Sequence, residues 1–170
     1  PYATDTLLDL LSIGGHPSAR TRDLVMSCGE ILTAGLITTG LEAAGCPAEA
    51  LTGFQAGILT DDRHGDATVE SVLPDRLREL LDAGIVPVVA GFQGINEKGD
   101  ITTLGRGGSD TTATVLGAAL SADRVEIFTD VDGIMTTDPR LYPGARMIDR
   151  IAYDEIFQMA VDGARVLDHR

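Results

Sequence analysis

Lysine is almost absent from this chain. Lys98 is the only one, so arginine supplies nearly all of the positive charge, and 13 basic residues stand against 26 acidic ones for a net charge of −13. Nucleic acids and anionic membrane surfaces are bound through basic patches, so this balance argues against both as main partners. A small anionic ligand remains possible, because it needs only a few well-placed cations.

Cysteine and histidine are also scarce, with two cysteines and three histidines. Neither residue type shows the paired spacing of a zinc site, so we expect no dedicated metal centre and expect Cys28 and Cys46 to be reduced thiols of a cytoplasmic protein. No apolar run approaches the roughly 20 residues that cross a bilayer, and no signal peptide is visible. These absences predict a protein with no membrane partner.

What the sequence does contain is an alternation of helical and strand patterns. The predicted helices cover 20–44, 74–83 and 153–161, with another after residue 110, and the predicted strands cover 48–51, 85–90 and 125–129. We interpret 91–104 as a loop. This alternation predicts an α/β fold with a mainly parallel sheet covered on both faces. A length of 170 residues favours one domain over residues 1–170.

Residues 105–110 read Gly-Arg-Gly-Gly-Ser-Asp and precede a predicted helix. The glycines allow close approach of a ligand, the free N–H groups of the helix start favour an anion, and Arg106 adds a planar fork for a carboxylate or phosphate. The alternative is an ordinary loop with Ser109 as the N-cap and Asp110 favoured by the helix dipole. The Walker A pattern fails for want of a lysine, and 102–104 is a poor strand from which to start a dinucleotide fingerprint.

A second polar segment starts where the predicted strand 125–129 ends. It includes Thr129 and Asp130 and continues through a Thr-Asp-Pro-Arg run that ends at Arg140. Ligands of open α/β sheets bind at that edge, although a solvated turn explains the same residues. Glu30 and Phe92 also have two interpretations. Instead of contacting a ligand, Glu30 can be a solvent-exposed residue of an amphipathic helix, and Phe92 can be a packing residue.

These segments, in this order, resemble the aspartate kinases of the amino acid kinase family over roughly residues 21–167. The motifs are Ser-Cys-Gly-Glu at 27–30, Leu-Thr-Gly-Phe-Gln-Ala-Gly-Ile at 51–58, Gly-Phe-Gln-Gly at 91–94, Thr-Thr-Leu-Gly-Arg-Gly-Gly-Ser-Asp at 102–110, Phe-Thr-Asp-Val-Asp-Gly at 128–133 and Thr-Asp-Pro-Arg at 137–140. Each motif alone is weak, but the set is specific.

The resemblance implies a three-layer αβα kinase domain. It implies transfer of the γ-phosphoryl group of ATP, with Mg²⁺, to the side-chain carboxylate of L-aspartate for amino-acid biosynthesis. By matching positions, Arg106 pairs with the substrate carboxylate and Glu30 receives its α-amino group. Ser109 and Phe92 line that pocket, and Asp110 orients the catalytic groups.

The resemblance also implies a nucleotide site made of Thr129, Asp130, Arg140 and Arg165. The chemistry agrees with this assignment, because a carboxylate acceptor is already ionised at neutral pH and needs no general base. Two anions must instead be brought together, which is mostly positioning plus cations and Mg²⁺. The resemblance adds no protein-bound metal site.

The chain departs from the family pattern in three ways. It lacks the first strand with a Lys-Phe-Gly-Gly-Thr-Ser loop, it has Arg165 where the family has lysine, and it lacks the regulatory domains. We therefore expect a kinase domain incomplete at its N-terminus, weak or inactive as this piece alone, and a homo-oligomer by family expectation. The alternatives are a kinase-like ligand-binding module without catalysis and a family member with another acceptor.

Overall fold

The computed structural model describes residues 4–129 and 133–161. Contacts divide the chain into two compact units, Pro1–Val125 and Glu126–Arg170, called here the first and the second unit. The elements in chain order are α1 (Thr4–Ile13), α2 (Ala19–Ala43), β1 (Ala48–Leu51), β2 (Ile58–Thr60), β3 (Val69–Val72), α3 (Asp75–Asp82), β4 (Val86–Val89), β5 (Gln93–Ile95), β6 (Ile101–Thr103), α4 (Gly108–Leu120) and α5 (Tyr153–Val161).

The long helix α2 agrees with the prediction for 20–44. Ser18 caps it, its hydroxyl accepting a hydrogen bond from the Thr21 amide at 3.2 Å. The helix ends before Gly45, which adopts a positive φ of 79°. The helix packs against α1, β1, β4 and β6, so it forms one wall of the first unit.

Helix α2 also corrects the expectation about apolar runs. It has 25 residues and a mean hydropathy of 1.5 in its most apolar stretch, which by length and composition is enough to cross a membrane. However, it carries the carboxylate of Asp23 fully buried among hydrogen-bond donors from other segments of the first unit. We therefore interpret α2 as a packed helix of a folded domain.

The strands form two sheets. Strands β1 and β4 pair in parallel, and the other sheet has the order β3-β2-β5-β6. In that sheet the central pair β2–β5 is parallel, whereas β2–β3 and β5–β6 are antiparallel. The predicted α/β class is confirmed. The prediction of a mainly parallel sheet does not hold for the described strands, which form one parallel pair and one mixed four-stranded sheet.

One of the two antiparallel pairs of the mixed sheet lies at 91–104, where the sequence predicts a loop. This segment folds as the hairpin β5–β6, with Gln93 and Thr102 buried inside it. The hydroxyls of Thr60 and Thr102 hydrogen-bond to each other at 2.6 Å, which satisfies both in the interior. Because these strands bury polar side chains, an apolar pattern could not reveal them, and 102–104 was wrongly judged a poor strand.

The apolar core of the first unit lies between β1, α3, β4 and α4. Its buried members are Leu51, Ala56, Leu77 and Leu80, and partly buried residues from β4 and α4 pack against them. The prediction of a strand at 85–90 is confirmed, but Val86 is 40% exposed, so the strand is half-buried rather than fully buried.

The second unit is less regular in its described part. Helix α5 confirms the prediction for 153–161, and a single bridge joins Met135 to Met147. The predicted strand at 125–129 is wrong: these residues pair with no strand among the described residues, and Phe128 is 91% exposed. An apolar, β-branched run favours a strand only where a neighbouring strand supplies its hydrogen bonds.

Candidate functional site

A cavity of about 520 Å³ opens in the first unit between α1, α2, the loop after β6 and the start of α4. Five residues that the sequence singled out line this cavity: Glu30, Phe92, Arg106, Ser109 and Asp110. Glu30 comes from α2, Phe92 from the turn after β4, and the other three from the loop and first turn of α4. The fold therefore brings together residues up to 80 positions apart.

The loop before α4 turns on two glycines with positive φ, Gly105 at 75° and Gly107 at 66°. Gly107 is the N-cap and makes no side-chain capping bond, so the alternative of Ser109 as N-cap is wrong. Ser109 and Asp110 lie in the first turn, where a helix offers no carbonyl acceptor to their amides. Those amides and the helix dipole favour an anion beside the cavity.

Phe92 is fixed in an unusual backbone conformation at the cavity wall. Its φ is 66°, a region that costs a bulky residue roughly 1–3 kcal/mol and persists only when its surroundings enforce it. The Phe92 amide donates to Thr112 Oγ1 at 3.0 Å, and its carbonyl accepts from the Leu104 amide at 3.0 Å. A Cβ on Gly108 would lie 2.7 Å from the Phe92 ring, so the ring and α4 are in close contact.

The cavity holds opposite charges that are not paired with each other. Neither Glu30 nor Arg106 forms a salt bridge with another residue of the described ranges. Burial raises the pKa of the Glu30 carboxyl, while the Arg106 side chain is exposed at the cavity mouth. One wall thus offers a carboxylate and another a guanidinium, a combination suited to a ligand that carries both an ammonium and a carboxylate.

Several residues that line the cavity are not apparent from sequence motifs, among them Arg22, Asp23, Met26, Gly65 and Thr103. Asp23 and Met26 could have been found, because they lie seven and four positions before Glu30 and so share its face of the helix. Arg22 lies on the same helix, directly before Asp23, whereas Thr103 and Gly65 reach the cavity from strand β6 and the loop before β3, where no local pattern marks them.

The residues predicted for a nucleotide are distributed differently. Thr129 and Arg140 lie in the second unit, whereas Asp130 and Arg165 lie outside the described residues. Arg140 forms a two-point pair with Asp138, with Nη2 2.7 Å from Oδ2 and Nε 3.0 Å from Oδ1, yet its side chain is 85% exposed. Hydrogen bonds from Arg140 hold the pKa of the Asp138 carboxyl below its usual range. These assignments stay predictions.

No group of three or more His, Cys, Asp and Glu side chains in residues 4–129 and 133–161 is arranged to hold a metal ion. Lys98, the sole lysine, pairs with Asp62 at the surface and does not line the cavity. Within the described ranges, the cations that line the cavity are Arg22 and Arg106.

Comparison with known proteins gives a consistent result. Residues 3–170 match the amino acid kinase family. The chain is 48% identical over 166 residues to the aspartokinase of Corynebacterium efficiens and 49% identical over 168 residues to that of Geobacillus stearothermophilus. These alignments cover 96% and 98% of this chain but only 39% and 41% of the relatives, so the chain spans about two-fifths of their length.

A solved structure is similar as well. The crystal structure of E. coli aspartokinase III in complex with aspartate and ADP superposes with a TM-score of 0.84 at 36% identity, covering 97% of this chain and 39% of that one. The resemblance to aspartate kinases that the motifs predicted is therefore confirmed, and so is the fold family.

Proposed function

Because this chain belongs to the amino acid kinase family, we propose that the full-length protein transfers the γ-phosphoryl group of ATP to the side-chain carboxylate of L-aspartate. One observation supports the acceptor most strongly: the unpaired charges of Glu30 and Arg106 line one cavity beside the start of α4. The relatives named above are aspartokinases, and one structure contains both aspartate and ADP.

In the proposed complex, Glu30 binds the α-amino group of aspartate and Arg106 binds a carboxylate. Ser109 and Phe92 complete the pocket, and Asp110 orients the reacting groups. A carboxylate oxygen of aspartate attacks the γ-phosphorus, the bond from that phosphorus to the ADP oxygen breaks, and aspartyl phosphate and ADP form. No proton has to move, since the acceptor is ionised at neutral pH.

Three features of the first unit serve this reaction. The positive φ values of Gly105 and Gly107 expose backbone amides, Arg106 neutralises charge, and the left-handed backbone of Phe92 holds its ring against α4. The site is thus built before the substrate arrives, which reduces the reorganisation needed as negative charge spreads in the transition state.

The nucleotide half of the proposal rests on Thr129, Asp130, Arg140 and Arg165. Arg140 is exposed and can turn toward a phosphate, at the cost of its pair with Asp138. An exposed pair of this kind contributes little because solvent screens it, so its exchange for a contact with a phosphate is favourable. Mg²⁺ is proposed as the ion that accompanies the nucleotide phosphates and neutralises their charge.

We further propose that residues 1–170 belong to a single amino acid kinase domain of three αβα layers. By analogy with its relatives we propose that the full-length protein is cytoplasmic and homo-oligomeric, without a membrane or nucleic-acid partner. Size-exclusion chromatography with light scattering measures the oligomeric state directly.

The experiment is an ADP-release assay on the full-length protein with ATP and Mg²⁺. We expect ADP formation that depends on L-aspartate, with L-glutamate at least tenfold poorer because it places its carboxylate one methylene farther from Glu30. ADP formation that depends on another acceptor, or none above background, would overturn the proposal.

A further inference from the structure

One buried carboxylate beside the cavity has no place in the proposed chemistry. Asp23 is only 1% exposed and accepts four hydrogen bonds from outside its own helix. Its Oδ2 accepts from His64 Nδ1 at 2.8 Å, from the Gly65 amide at 3.0 Å and from the Thr103 amide at 3.2 Å. Its Oδ1 accepts from the Thr103 hydroxyl at 2.7 Å.

These four bonds join three separate segments: helix α2, the connection between β2 and β3, and the end of strand β6. The last two are also joined to each other, because the Ala67 amide donates to the Thr103 carbonyl at 2.9 Å. A buried carboxylate is tolerated only when its oxygens are satisfied, and removing it would leave several buried donors without an acceptor. The geometry of the three segments is therefore set jointly by Asp23.

Two of these segments lead to the two charges of the proposed acceptor site. Glu30 follows Asp23 by two turns of α2, about 10 Å along the helix axis and on the same face. Arg106 follows Thr103 by three residues, in the loop that leaves β6. Asp23 thus fixes the distance between helix α2, which carries Glu30, and strand β6, which is followed by the loop that carries Arg106.

Both carboxylate oxygens of Asp23 are already occupied by donors of the chain, so Asp23 acts through the groups it holds. We propose that Asp23, oriented by His64, is a positioning residue that sets the span between Glu30 and Arg106 and so determines the length of dicarboxylic amino acid that fits. This inference rests on the proposed function. His64 contributes one donor to the carboxylate, and its side chain is only 17% exposed.

The first test is Asp23→Asn in the full-length protein. The amide keeps the shape of the side chain but turns a donor toward groups that are themselves donors. We expect KM for L-aspartate to rise about tenfold and KM for ATP to change less than about twofold. We also expect the preference for L-aspartate over L-glutamate in kcat/KM to fall about threefold or more, because the span is no longer fixed.

His64 supplies a second test that does not depend on how Asp23→Asn folds. His64→Ala removes a donor from Oδ2, whereas His64→Asn places an amide N–H near the position of Nδ1. We expect His64→Ala to shift KM for L-aspartate and the acceptor preference in the same direction as Asp23→Asn. We expect His64→Asn to restore both toward the wild-type values.

The matched control is Thr60→Val, which breaks the buried hydroxyl pair with Thr102 in the same sheet but does not touch the cavity. We expect it to lower thermal stability and leave both KM values and the acceptor preference unchanged. If the Asp23 and His64 variants behave like this control, Asp23 is merely structural and the inference is wrong. If the wild-type protein forms no aspartate-dependent ADP, the proposed function itself fails and this inference with it.

Discussion

The two units of this chain hold the residues of the proposed reaction on different scaffolds. In the first unit, the residues proposed for aspartate line one cavity whose walls are helices and the end of a buried strand. In the second, Thr129 is exposed and lies in no described helix or strand, and Arg140 lies in the loop that the bridge between Met135 and Met147 closes. The comparison suggests that acceptor binding is set by rigid packing, whereas nucleotide binding depends on exposed groups that adjust to the ligand.

The largest effect is expected at Arg106. Arg106→Ala should lower kcat/KM for L-aspartate about 100-fold, because a charge-assisted two-point contact is worth roughly 3 kcal/mol, and Arg106→Lys should lower it about tenfold. KM for ATP should change less than about twofold in both variants. Steady-state kinetics with each substrate varied in turn measure these values.

The matched control for Arg106 is Arg76→Ala. Arg76 is another exposed arginine of the first unit, paired with Glu49 at 2.6 Å and outside the cavity. Its removal should leave both KM values unchanged. If Arg106→Ala raises both KM values equally, the assignment of the first unit to the acceptor is wrong.

The next prediction concerns the free energy of unfolding, and it compares how tightly a glycine is packed in each of the two units. Gly108→Ala would place a Cβ 2.7 Å from the Phe92 ring and 3.0 Å from Leu104 Cβ, in a region where little can move. We expect a loss of about 1–3 kcal/mol in the free energy of unfolding. Thermal or urea unfolding of the full-length protein measures it.

The counterpart in the second unit is Gly144→Ala. Its Cβ would lie 2.6 Å from the ring of Tyr142, which is an exposed side chain that can swing away. We expect a loss below about 0.5 kcal/mol. Equal losses for Gly108→Ala and Gly144→Ala would contradict the difference in packing.

Arg140 tests the nucleotide side of the comparison. Arg140→Ala should raise KM for ATP about tenfold through loss of a phosphate contact, while KM for L-aspartate stays within about twofold. Asp138→Asn weakens the competing pair and should lower KM for ATP slightly. An effect of Arg140→Ala on KM for L-aspartate alone would contradict the assignment of Arg140 to the nucleotide.

The smallest effect is the pH dependence that Glu30 confers. Burial raises the pKa of its carboxyl, so on acidification it takes up a proton at a higher pH than an ordinary glutamate and loses its attraction for an ammonium group. KM for L-aspartate should therefore rise as the pH falls, beginning above the usual glutamate range. Glu30→Gln should have a high KM that is independent of pH in this range.

The same burial has a consequence for stability. The folded state disfavours the ionised Glu30, so its contribution to stability decreases as the pH rises through the raised pKa. Glu30→Gln should consequently raise the melting temperature slightly at neutral pH while weakening aspartate binding. A lower melting temperature at neutral pH would show that the Glu30 carboxylate is stabilised by a partner.

Local patterns were enough for part of this molecule. Helices α2 and α4 and strand β1 follow from apolar spacing and glycine stops, and the motif around Arg106 marked residues that line the cavity. The hairpin β5–β6 did not follow, because its buried residues are polar and are satisfied only by tertiary hydrogen bonds such as Thr60 to Thr102.

The site shows the same division between local and tertiary information. Glu30 and Arg106 could be named from motifs, but the group that fixes their separation could not. Asp23 shares a helix face with Glu30, whereas its partners His64 and Thr103 lie 41 and 80 positions away along the chain. The failure at 125–129 has a related cause, since a strand depends on a neighbour that an isolated apolar run does not specify.

The most direct test of the central claim is hydrogen exchange of the full-length protein, measured by mass spectrometry with and without L-aspartate. We expect saturable protection of peptides that cover Glu30 and residues 105–112, no protection of 133–150, and loss of the effect in Arg106→Ala. Protection confined to 133–150, or protection of 105–112 that persists unchanged in Arg106→Ala, would contradict the assignment of the first unit's cavity to aspartate.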